Sequence, residues 1–409
     1  MRGWIIVTTE NKNKNNYIRW IYVLVGIMIM MFLGTVYSYG VFRKPIEDMY
    51  NIGTTLSGLP YMISLAFYAL FMFFSGRVLS QIKPRKAIAI GGLVISAGWI
   101  LSSVAWNIFV LTITYGIIIG SGVGIVYGVP MQVVAKWFPK KKGFAVGLVL
   151  LGFGLSPFIT APAARILIEN FGLEKTFLVL GIFFGIAIPV LGLLLKFPSE
   201  KRVYETRKET KNKGYEVDIK TMDMIKTSTF KGLYINFTIG TMIGLTLIGL
   251  TSMIGTDLIG ISSVNVAFFI SLFAIFNGIG RPIFGWLTDK FSSKKTMNLS
   301  YMLIIIASML MILANKGSTF FYGLSFSIYW LNLGGWLAIA PTSTIKIFGI
   351  KNYSENYGVV FTAYGIGALV GVASSGIILD YLGSYNYLFY YIILLSVLGI
   401  FITKNLIKD

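Results

Sequence analysis

One arginine of this 409-residue chain stands inside a stretch that otherwise carries no charge. Arg281 lies eight positions before Asp289, and the residues from Val264 to Ile275 include no acidic or basic side chain. At about 1.5 Å of rise per residue, a membrane helix would bury Arg281 roughly 12 Å below the polar turn, in a hydrocarbon layer about 30 Å thick. A charge at that depth costs at least about 2.5–3.5 kcal/mol, so Arg281 is a candidate functional residue.

The chemistry that suits a buried guanidinium is recognition of a carboxylate, because its fork of donors matches two carboxylate oxygens. Asn277 lies four residues earlier on the same helical face, and its amide could donate to the same ligand. Tyr37 and Tyr127 fall near the middle of two apolar stretches in the other half of the chain, where their hydroxyls could complete the site. The alternative for each tyrosine is core packing or a helix–helix hydrogen bond. For Arg281 the alternative is a structural bond to a backbone carbonyl or a tyrosine.

The chain contains no cysteine and no histidine, which restricts the other chemistry open to it. Disulfides, thiol nucleophiles, histidine bases, haem ligation and ordinary zinc sites are thereby excluded. Any proton coupling must also work without the side chain that most often titrates near neutral pH. We therefore expect no enzymatic activity, no metal and no other cofactor.

Long apolar segments must position these residues. Apolar residues make up 56 % of the chain, charged residues make up 12 %, and the mean hydropathy is +0.76, which leaves too little charge to cover a soluble surface. Backbone groups in lipid must be satisfied within each segment, so each span should be an α-helix. Twelve spans, numbered 1 to 12, are predicted at roughly 19–42, 56–80, 87–106, 108–135, 143–167, 174–196, 230–256, 264–288, 297–315, 319–345, 355–380 and 386–405.

The spans fall into two groups of six. We predict an N-terminal six-helix bundle at 1–197, a cytoplasmic linker at 198–229 and a C-terminal six-helix bundle at 230–409. The linker is interpreted as a solvated tether, with a regulatory role as the alternative. The polar residues before span 1 include no cleavage site, so span 1 is expected to be retained and not removed as a signal peptide.

The formal net charge is +19, which in a soluble protein would suggest a nucleic-acid partner. Here most basic residues of the short loops fall on one side of the predicted spans, as the positive-inside rule requires. Arg43 and Lys44 on the other side are exceptions that lie beside Glu47 and Asp48. The side with most of the basic residues is therefore expected to be cytoplasmic, with both termini on it, in a bacterial cytoplasmic membrane. The loops concerned carry Lys83, Arg85, Lys86, Lys140, Lys141, Lys142, Lys290, Lys294, Lys295, Lys346 and Lys351.

The two halves repeat each other. Gly76, near the basic loop after span 2, corresponds to Gly285 near the basic loop after span 8, at an offset of 209 (285 − 76). Pro130 of span 4 corresponds to Pro341 of span 10, at an offset of 211 (341 − 130). Internal repeats with a binding site at their interface are the construction plan of secondary transporters.

The segment after span 8 resembles the loop signature of the major facilitator superfamily, Gly-x-x-x-Asp-Arg/Lys-x-Gly-Arg-Lys/Arg. It departs at Ser292, where glycine is usual, and its first-half copy has Ser80 and Gln81 in place of the acid and the following cation. The resemblance implies an all-α integral membrane protein with twelve transmembrane helices in two pseudo-symmetric six-helix bundles. It also implies a gating loop that includes Gly285, Asp289, Lys290 and Lys294.

Five further segments resemble the oxalate/formate antiporter family, which is related to the monocarboxylate transporters. They agree in order and spacing over nearly the whole chain: Gly34–Phe42, Gly120–Gly128, Trp137–Gly147, Gly334–Pro341 and Asn356–Gly365. The resemblance implies that the substrate-binding residues are Arg281, Asn277, Tyr37, Tyr127 and, in span 11, Tyr364.

The departures from that family bear on the substrate. In oxalate-handling relatives a lysine of span 11 supplies a second cation, and Tyr364 stands in its place here. Two carboxylates need two positive partners to offset their desolvation, whereas one arginine suits one carboxylate. Leu333 and Leu337 also replace aromatic residues that line the oxalate site. We therefore expect a small monocarboxylate such as lactate, pyruvate or formate.

The sequence gives less information about proton coupling than about the substrate. Animal monocarboxylate transporters have an aspartate four residues before the arginine, where this chain has Asn277, so that proton relay does not carry over. Asp257, at the outer end of span 7, is the nearest remaining acid, and we interpret it as a solvated loop-edge residue.

The sequence therefore predicts a secondary active transporter that moves a small monocarboxylate by alternating access, with proton symport as the expected coupling. The alternative within this class is oxalate/formate-type anion exchange. A carboxylate sensor that signals through the linker is a second class of protein, and a membrane enzyme is a third. The expected partners are a small carboxylate anion, protons or a counter-anion, and the lipid bilayer, with a monomer as the functional unit and no nucleic acid.

Overall fold

The structure, a computed structural model, describes residues 2–79, 82–198 and 218–408. Ser80 and Gln81 of the degenerate loop copy lie outside the described residues, as does most of the predicted linker. Within the described ranges the chain forms helices joined by short turns, and no strand occurs there. This is the outcome expected when each apolar segment must satisfy its own backbone hydrogen bonds.

The helices match the predicted spans closely, with most ends within a few residues. Span 1 consists of the helix Arg2–Leu33, the 3₁₀ turn Gly34–Ser38 and the helix Tyr39–Tyr50. Spans 2 and 3 are Leu59–Leu79 and Pro84–Ser102. Span 4 consists of the helix Ile108–Leu111, the π-helical turns Thr112–Ile119 and the α-helix Gly120–Trp137. Spans 5 and 6 are Lys142–Phe171 and Leu173–Leu194. Spans 7 to 12 are Ser228–Met253 with the π-helical turn Ile254–Leu258, Ser263–Lys290, Ser293–Ile312, Thr319–Phe348, Tyr353–Leu382 and Tyr385–Leu406.

Among the described residues, eleven helices are long and apolar enough to cross a membrane. The predicted span outside this set is span 10, although its helix is 30 residues long. Polar and small residues such as Asn332, Gly334 and Gly335 lower its hydropathy, and these residues are buried against other helices. Span 10 is therefore a central helix whose sequence reflects packing more than lipid contact. The chain is a multi-pass membrane protein.

Span 4 approaches its neighbours through glycines. A Cβ on Gly124 would lie 2.5 Å from the carbonyl oxygen of Tyr68 in span 2. A Cβ on Gly122 would lie 2.9 Å from the carbonyl oxygen of Gly91 in span 3. These glycines therefore serve close helix packing.

The first and second halves of the chain meet where span 5 packs on span 8 and span 2 packs on span 11. A Cβ on Gly147 of span 5 would lie 2.5 Å from the carbonyl oxygen of Arg281 in span 8. A Cβ on Gly154 would lie 2.9 Å from the Cα atom of Gly278. These small residues let the two helices approach closely, and they place Arg281 at the boundary between the halves. The division into two separate bundles stays a prediction.

The described end of the linker is anchored. The backbone N–H of Ile219 donates to the carbonyl of Phe348 at 3.0 Å. The side-chain amides of Asn352 and Asn356 both donate to the carbonyl of Ile219, each at 3.1 Å. A short helix, Thr221–Lys226, follows and leads into span 7. The last residues of the linker are thus held against the turn that begins span 11.

Candidate functional site

Arg281 is fully buried at the boundary between the two halves. Its Nη1 donates to the backbone carbonyl of Leu150 in span 5 at 2.8 Å, and its Nη2 donates to Oδ1 of Asn277 at 3.3 Å. The guanidinium also lies over the ring of Phe153, with Cζ 5.6 Å from the ring centroid. A carbonyl oxygen has two lone pairs, so that of Leu150 can accept this bond besides its helical one. The sequence left open a structural bond from Arg281 to a backbone carbonyl as the alternative to substrate binding, and that bond is present.

Asn277 is buried beside Arg281, one helical turn away. Its Nδ2 donates to the backbone carbonyl of Trp330 in span 10 at 3.2 Å, which turns Oδ1 toward the guanidinium. This bond uses one of the two amide hydrogens, so donation of the other to a ligand stays a prediction. Asn277 also orients Arg281.

Aromatic rings surround the same place. Phe153 of span 5 packs edge-on against Tyr37 at 5.0 Å and against Tyr127 at 5.2 Å between ring centroids. Tyr68 of span 2 packs edge-on against Tyr127 at 5.1 Å. Phe361 of span 11 lies 5.6 Å from Tyr127 and 5.1 Å from Tyr68. We call this group, together with Tyr364, the aromatic cage: Tyr37, Tyr68, Tyr127, Phe153, Phe361 and Tyr364.

Two cage residues bridge the halves. The hydroxyl oxygens of Tyr37 in span 1 and Tyr364 in span 11 lie 2.9 Å apart, in hydrogen-bonding contact. Tyr37 is carried by the 3₁₀ turn Gly34–Ser38, and a Cβ on Gly34 would lie 2.6 Å from the carbonyl oxygen of Phe153. The tight turn and the small residue together let span 1 bring Tyr37 against span 5. Tyr364 is fully buried and stacks on Phe361 at 5.1 Å.

The structure thus brings together Arg281, Asn277, Tyr37, Tyr127 and Tyr364 as the sequence predicted, although their role in binding stays a prediction. It adds residues that the sequence did not single out, namely Leu150, Phe153, Gly154, Tyr68 and Phe361. Gly154 admits the guanidinium, because a Cβ there would lie 3.0 Å from Nε of Arg281. The sequence did not distinguish Gly154 from the many other glycines of the spans.

The end of the bundle that carries the basic loops, called the basic end, is closed by the predicted gating loop. A Cβ on Gly285 would lie 2.2 Å from the carbonyl oxygen of Gly143, so the backbones of spans 8 and 5 touch there. Asp289 accepts a hydrogen bond from the backbone N–H of Phe144 at 3.0 Å, at the first turn of span 5. A carboxylate at a helix N-terminus is stabilised by the unpaired N–H groups and the helix dipole.

The other two gating-loop residues lie elsewhere. Lys290 places its Nζ 4.6 Å from the ring centroid of Trp286. Lys294 donates to the carbonyl of Lys404 at the end of span 12, at 2.8 Å. Both of these interactions stay within the second half, whereas Gly285 and Asp289 contact the first half.

A second contact closes the basic end between spans 2 and 11. A Cβ on Gly76 would lie 2.4 Å from the carbonyl oxygen of Ser354, which parallels the Gly285–Gly143 approach. Beside it, Nε of Arg77 lies 3.2 Å from Oε1 of Glu355 in the first turn of span 11. At the Gly285 contact the carboxylate, Asp289, belongs to the loop motif itself. At the Gly76 contact the carboxylate, Glu355, belongs to the helix that faces the loop.

Among the residues whose side chains are described, no acidic group contacts Arg281. Asp257 is exposed at the end of span 7, where it accepts hydrogen bonds from Tyr385 at 3.1 Å and Thr256 at 2.7 Å. Arg281 is also the only lysine, arginine, aspartate or glutamate that is fully buried in the described part of the chain. The site is a single positive charge in an aromatic cage between the two halves, and this suits one small anion.

Comparison with known proteins identifies the class of protein to which the chain belongs. The family model of the Major Facilitator Superfamily matches residues 21–345. The solved structure of the proton:xylose symporter XylE bound to 6-bromo-6-deoxy-D-glucose superposes with a TM-score of 0.77 at 12 % identity, covering 96 % of this chain and 97 % of that one. The chain belongs to the Major Facilitator Superfamily, and the all-α major facilitator fold predicted from the loop motif is confirmed.

Individual relatives show which members of this superfamily the chain resembles in sequence. The oxalate:formate antiporter of Oxalobacter formigenes is 26 % identical over 361 residues, covering 86 % of this chain and 83 % of the relative. Monocarboxylate transporter 12 of Homo sapiens is 26 % identical over 343 residues, covering 76 % of this chain and 64 % of the relative. The resemblance to carboxylate transporters read from the sequence is therefore confirmed at the level of the family.

Proposed function

We propose that this protein is a secondary active transporter that moves a small monocarboxylate, of the lactate, pyruvate or formate type, by alternating access. It acts in a bacterial cytoplasmic membrane, with the basic end and both termini toward the cytoplasm. The observation that carries the proposal is Arg281, a lone buried cation held between the two halves by Leu150 and Asn277. The similarity to relatives named for carboxylate transport supports the same substrate class.

Charge balance supports one carboxylate per substrate. A carboxylate that leaves water for this cage loses its hydration, and the guanidinium is the one fixed charge among the described residues that can offset the loss. A second carboxylate would meet aromatic rings and neutral hydroxyls, including the position held by Tyr364. The cage therefore suits an anion with a small apolar or hydroxylated tail.

Alternating access has a physical basis in the contacts at the basic end. The Gly285–Gly143 and Gly76–Ser354 approaches must separate before an anion beside Arg281 can reach that side. Polar bonds across these approaches include Asp289 to the N-terminus of span 5, and Arg77 to Glu355. Polar contacts of this kind can break and re-form during a cycle.

Proton symport is the coupling we propose, and anion exchange is the second candidate. Exchange is favoured by the lack of a described acidic side chain beside Arg281 and by the similarity to a relative named as an antiporter. The two differ in what drives net movement, because symport responds to a proton gradient and exchange requires an anion on the opposite side.

A proteoliposome assay tests the proposal. Purified protein is reconstituted, and uptake of labelled lactate, pyruvate, formate and oxalate is measured with an inward proton gradient, with internal unlabelled anion, or with neither. Accumulation driven by the proton gradient supports symport, and accumulation that needs internal anion supports exchange. Absence of flux for every carboxylate would refute the transporter function.

Tyr364→Lys should raise binding of dicarboxylates relative to monocarboxylates. The new ammonium would supply a second positive partner, and one such partner in a desolvated site shifts relative affinity by on the order of tenfold, about 1.4 kcal/mol. Tyr364→Phe is the matched control, because it also removes the hydroxyl contact with Tyr37 but adds no charge. The ratio of oxalate to lactate affinity is measured by ligand-induced thermal shift. An equal ratio in the two variants would contradict the selectivity argument.

Asn277→Asp should make anion binding depend on pH. The new carboxylate would stand where Oδ1 now lies 3.3 Å from Nη2 of Arg281, and when ionised it would compete with the substrate anion. Affinity should therefore fall as pH rises and recover on acidification, with a loss on the order of tenfold at neutral pH. The apparent Kd for lactate is measured between acidic and neutral pH in the parent, in Asn277→Asp and in the non-titrating Asn277→Ala. Parallel pH profiles in all three would show that residue 277 does not compete for Arg281.

A further inference from the structure

The bond from Arg281 to Leu150 concerns the return step of a transport cycle. Nη1 of Arg281, on span 8 of the second half, donates to a main-chain oxygen of span 5 in the first half. Nη2 is held by Asn277, and the ring of Phe153 covers one face of the guanidinium. The positive charge is therefore compensated by protein groups in this conformation.

The geometry also shows which donors an anion would compete for. A guanidinium offers two bidentate edges, one formed by Nε with an Nη atom and one formed by the two Nη atoms. Nε of Arg281 is buried with no hydrogen-bond partner among the described residues, whereas Leu150 accepts from Nη1 and Asn277 accepts from Nη2. A carboxylate that binds across the two Nη atoms must therefore displace the Leu150 carbonyl.

This exchange of partners has a consequence for the empty carrier. A carrier whose substrate-binding cation has no internal partner must bury an uncompensated charge whenever it closes without substrate, which is costly. Such a carrier reorients only when loaded, and it performs exchange. Here the Leu150 carbonyl bonds the same donor and joins the same two halves that a substrate would join.

We propose that the Leu150 carbonyl acts as an internal substitute for the substrate carboxylate, which lets the empty protein close and reorient. The inference rests on the proposed transport function and adds to it that the protein catalyses net flux and not obligatory exchange. Gly154 is the positioning residue, because its lack of a side chain admits the guanidinium to Leu150.

The first test is efflux of labelled lactate from proteoliposomes at clamped membrane potential, into medium with or without unlabelled lactate. External lactate should accelerate efflux by less than about threefold in the parent. In Gly154→Ala, whose new Cβ pushes on Nε and Cζ as well as on Cα of Gly278, the acceleration should exceed about tenfold, because empty return slows more than loaded return. Gly278→Ala is the matched control for crowding between spans 5 and 8, since the three atoms nearest to its Cβ belong to Leu155 and Leu151 of span 5 and not to Arg281. A parent acceleration above tenfold, or equal acceleration in all three proteins, overturns the proposal.

A second measurement does not depend on transport. The chain has no cysteine, so a single cysteine at Phe144, beside the Gly285–Gly143 approach, reports closure of the basic end through its rate of thiol labelling. Labelling without any carboxylate should be within about twofold of that with lactate, and adding Gly154→Ala should make it depend on lactate by at least fivefold. Protection that requires lactate in the Phe144→Cys protein overturns the inference even if lactate is transported. Protection without lactate that Gly154→Ala abolishes, in a protein that transports no carboxylate, upholds the role of the Leu150 bond in closure while refuting the transport function.

Discussion

Arg281→Lys should reduce lactate uptake at subsaturating concentration by about 10–150-fold. The ammonium keeps the positive charge but cannot reproduce the planar fork that donates to both oxygens of one carboxylate. One lost hydrogen bond to a charged group corresponds to about 1.5–3 kcal/mol, which gives that range of affinity. The loss should appear mainly as weaker binding, measured by the concentration dependence of uptake and by lactate-induced thermal shift.

The control for this variant is Arg165→Lys. Arg165 lies in span 5 with a side chain 75 % exposed, paired with Glu169 at 3.0 Å. The same change of residue type there should leave uptake within about twofold of the parent. Unchanged uptake kinetics in Arg281→Lys would remove Arg281 from the substrate site and leave its bond to Leu150 as a purely structural contact.

The fold was predictable because the helical structure of each span is determined by the sequence of that span alone. An apolar segment of about 20 residues must become a helix in lipid whatever its neighbours do. Tertiary packing modified this outcome where helices meet. The 3₁₀ turn at Gly34–Ser38 and the π-helical turns at Thr112–Ile119 and Ile254–Leu258 were not predicted, and span 10 is less apolar than a lipid-facing helix.

A site residue was predictable only where its own side-chain chemistry is unusual for its position in the chain. A buried arginine is rare enough to identify itself, and Asn277 follows from helical spacing. Phe153 and Tyr68 carry no such mark in a chain with 31 phenylalanines and 23 tyrosines. Leu150 acts through its backbone, which every residue possesses. Its position opposite Nη1 depends on the register of span 5 against span 8, and a single sequence does not contain that register.

The same limit applies to the basic end. The loop motif identified Gly285 and Asp289, but the partner of Asp289 is a backbone N–H at Phe144. The pairing of Arg77 with Glu355, separated by 278 residues, has no signal in either residue alone. The repeat offset does relate the two contacts, because Gly76 and Gly285 occupy equivalent positions and both touch a facing backbone.

Gly285→Ala should abolish most transport while leaving anion binding nearly intact. Its Cβ would lie 2.2 Å from the carbonyl oxygen of Gly143, so spans 5 and 8 cannot approach as closely at the basic end. Overpacking of this kind costs about 1–3 kcal/mol, which would shift the closed population by about 5–150-fold. We expect uptake to fall more than tenfold, the lactate-induced thermal shift to change less than about threefold in apparent Kd, and thiol labelling of a cysteine placed at Phe144 to increase.

Gly143→Ala tests the same contact from the opposite side, because its Cβ would lie 2.4 Å from the carbonyl oxygen of Gly285, whereas Gly249→Ala adds a methyl group with no neighbour within 4 Å. The first should reproduce the Gly285→Ala effect and the second should not. Together with Arg281→Lys, these variants separate two functions along one helix, since Arg281→Lys loses anion binding whereas Gly285→Ala keeps anion binding and loses closure. If Gly285→Ala lost anion binding as severely as Arg281→Lys, the basic end and the aromatic cage would be one cooperative unit, and closure could not act as a separate step of the cycle.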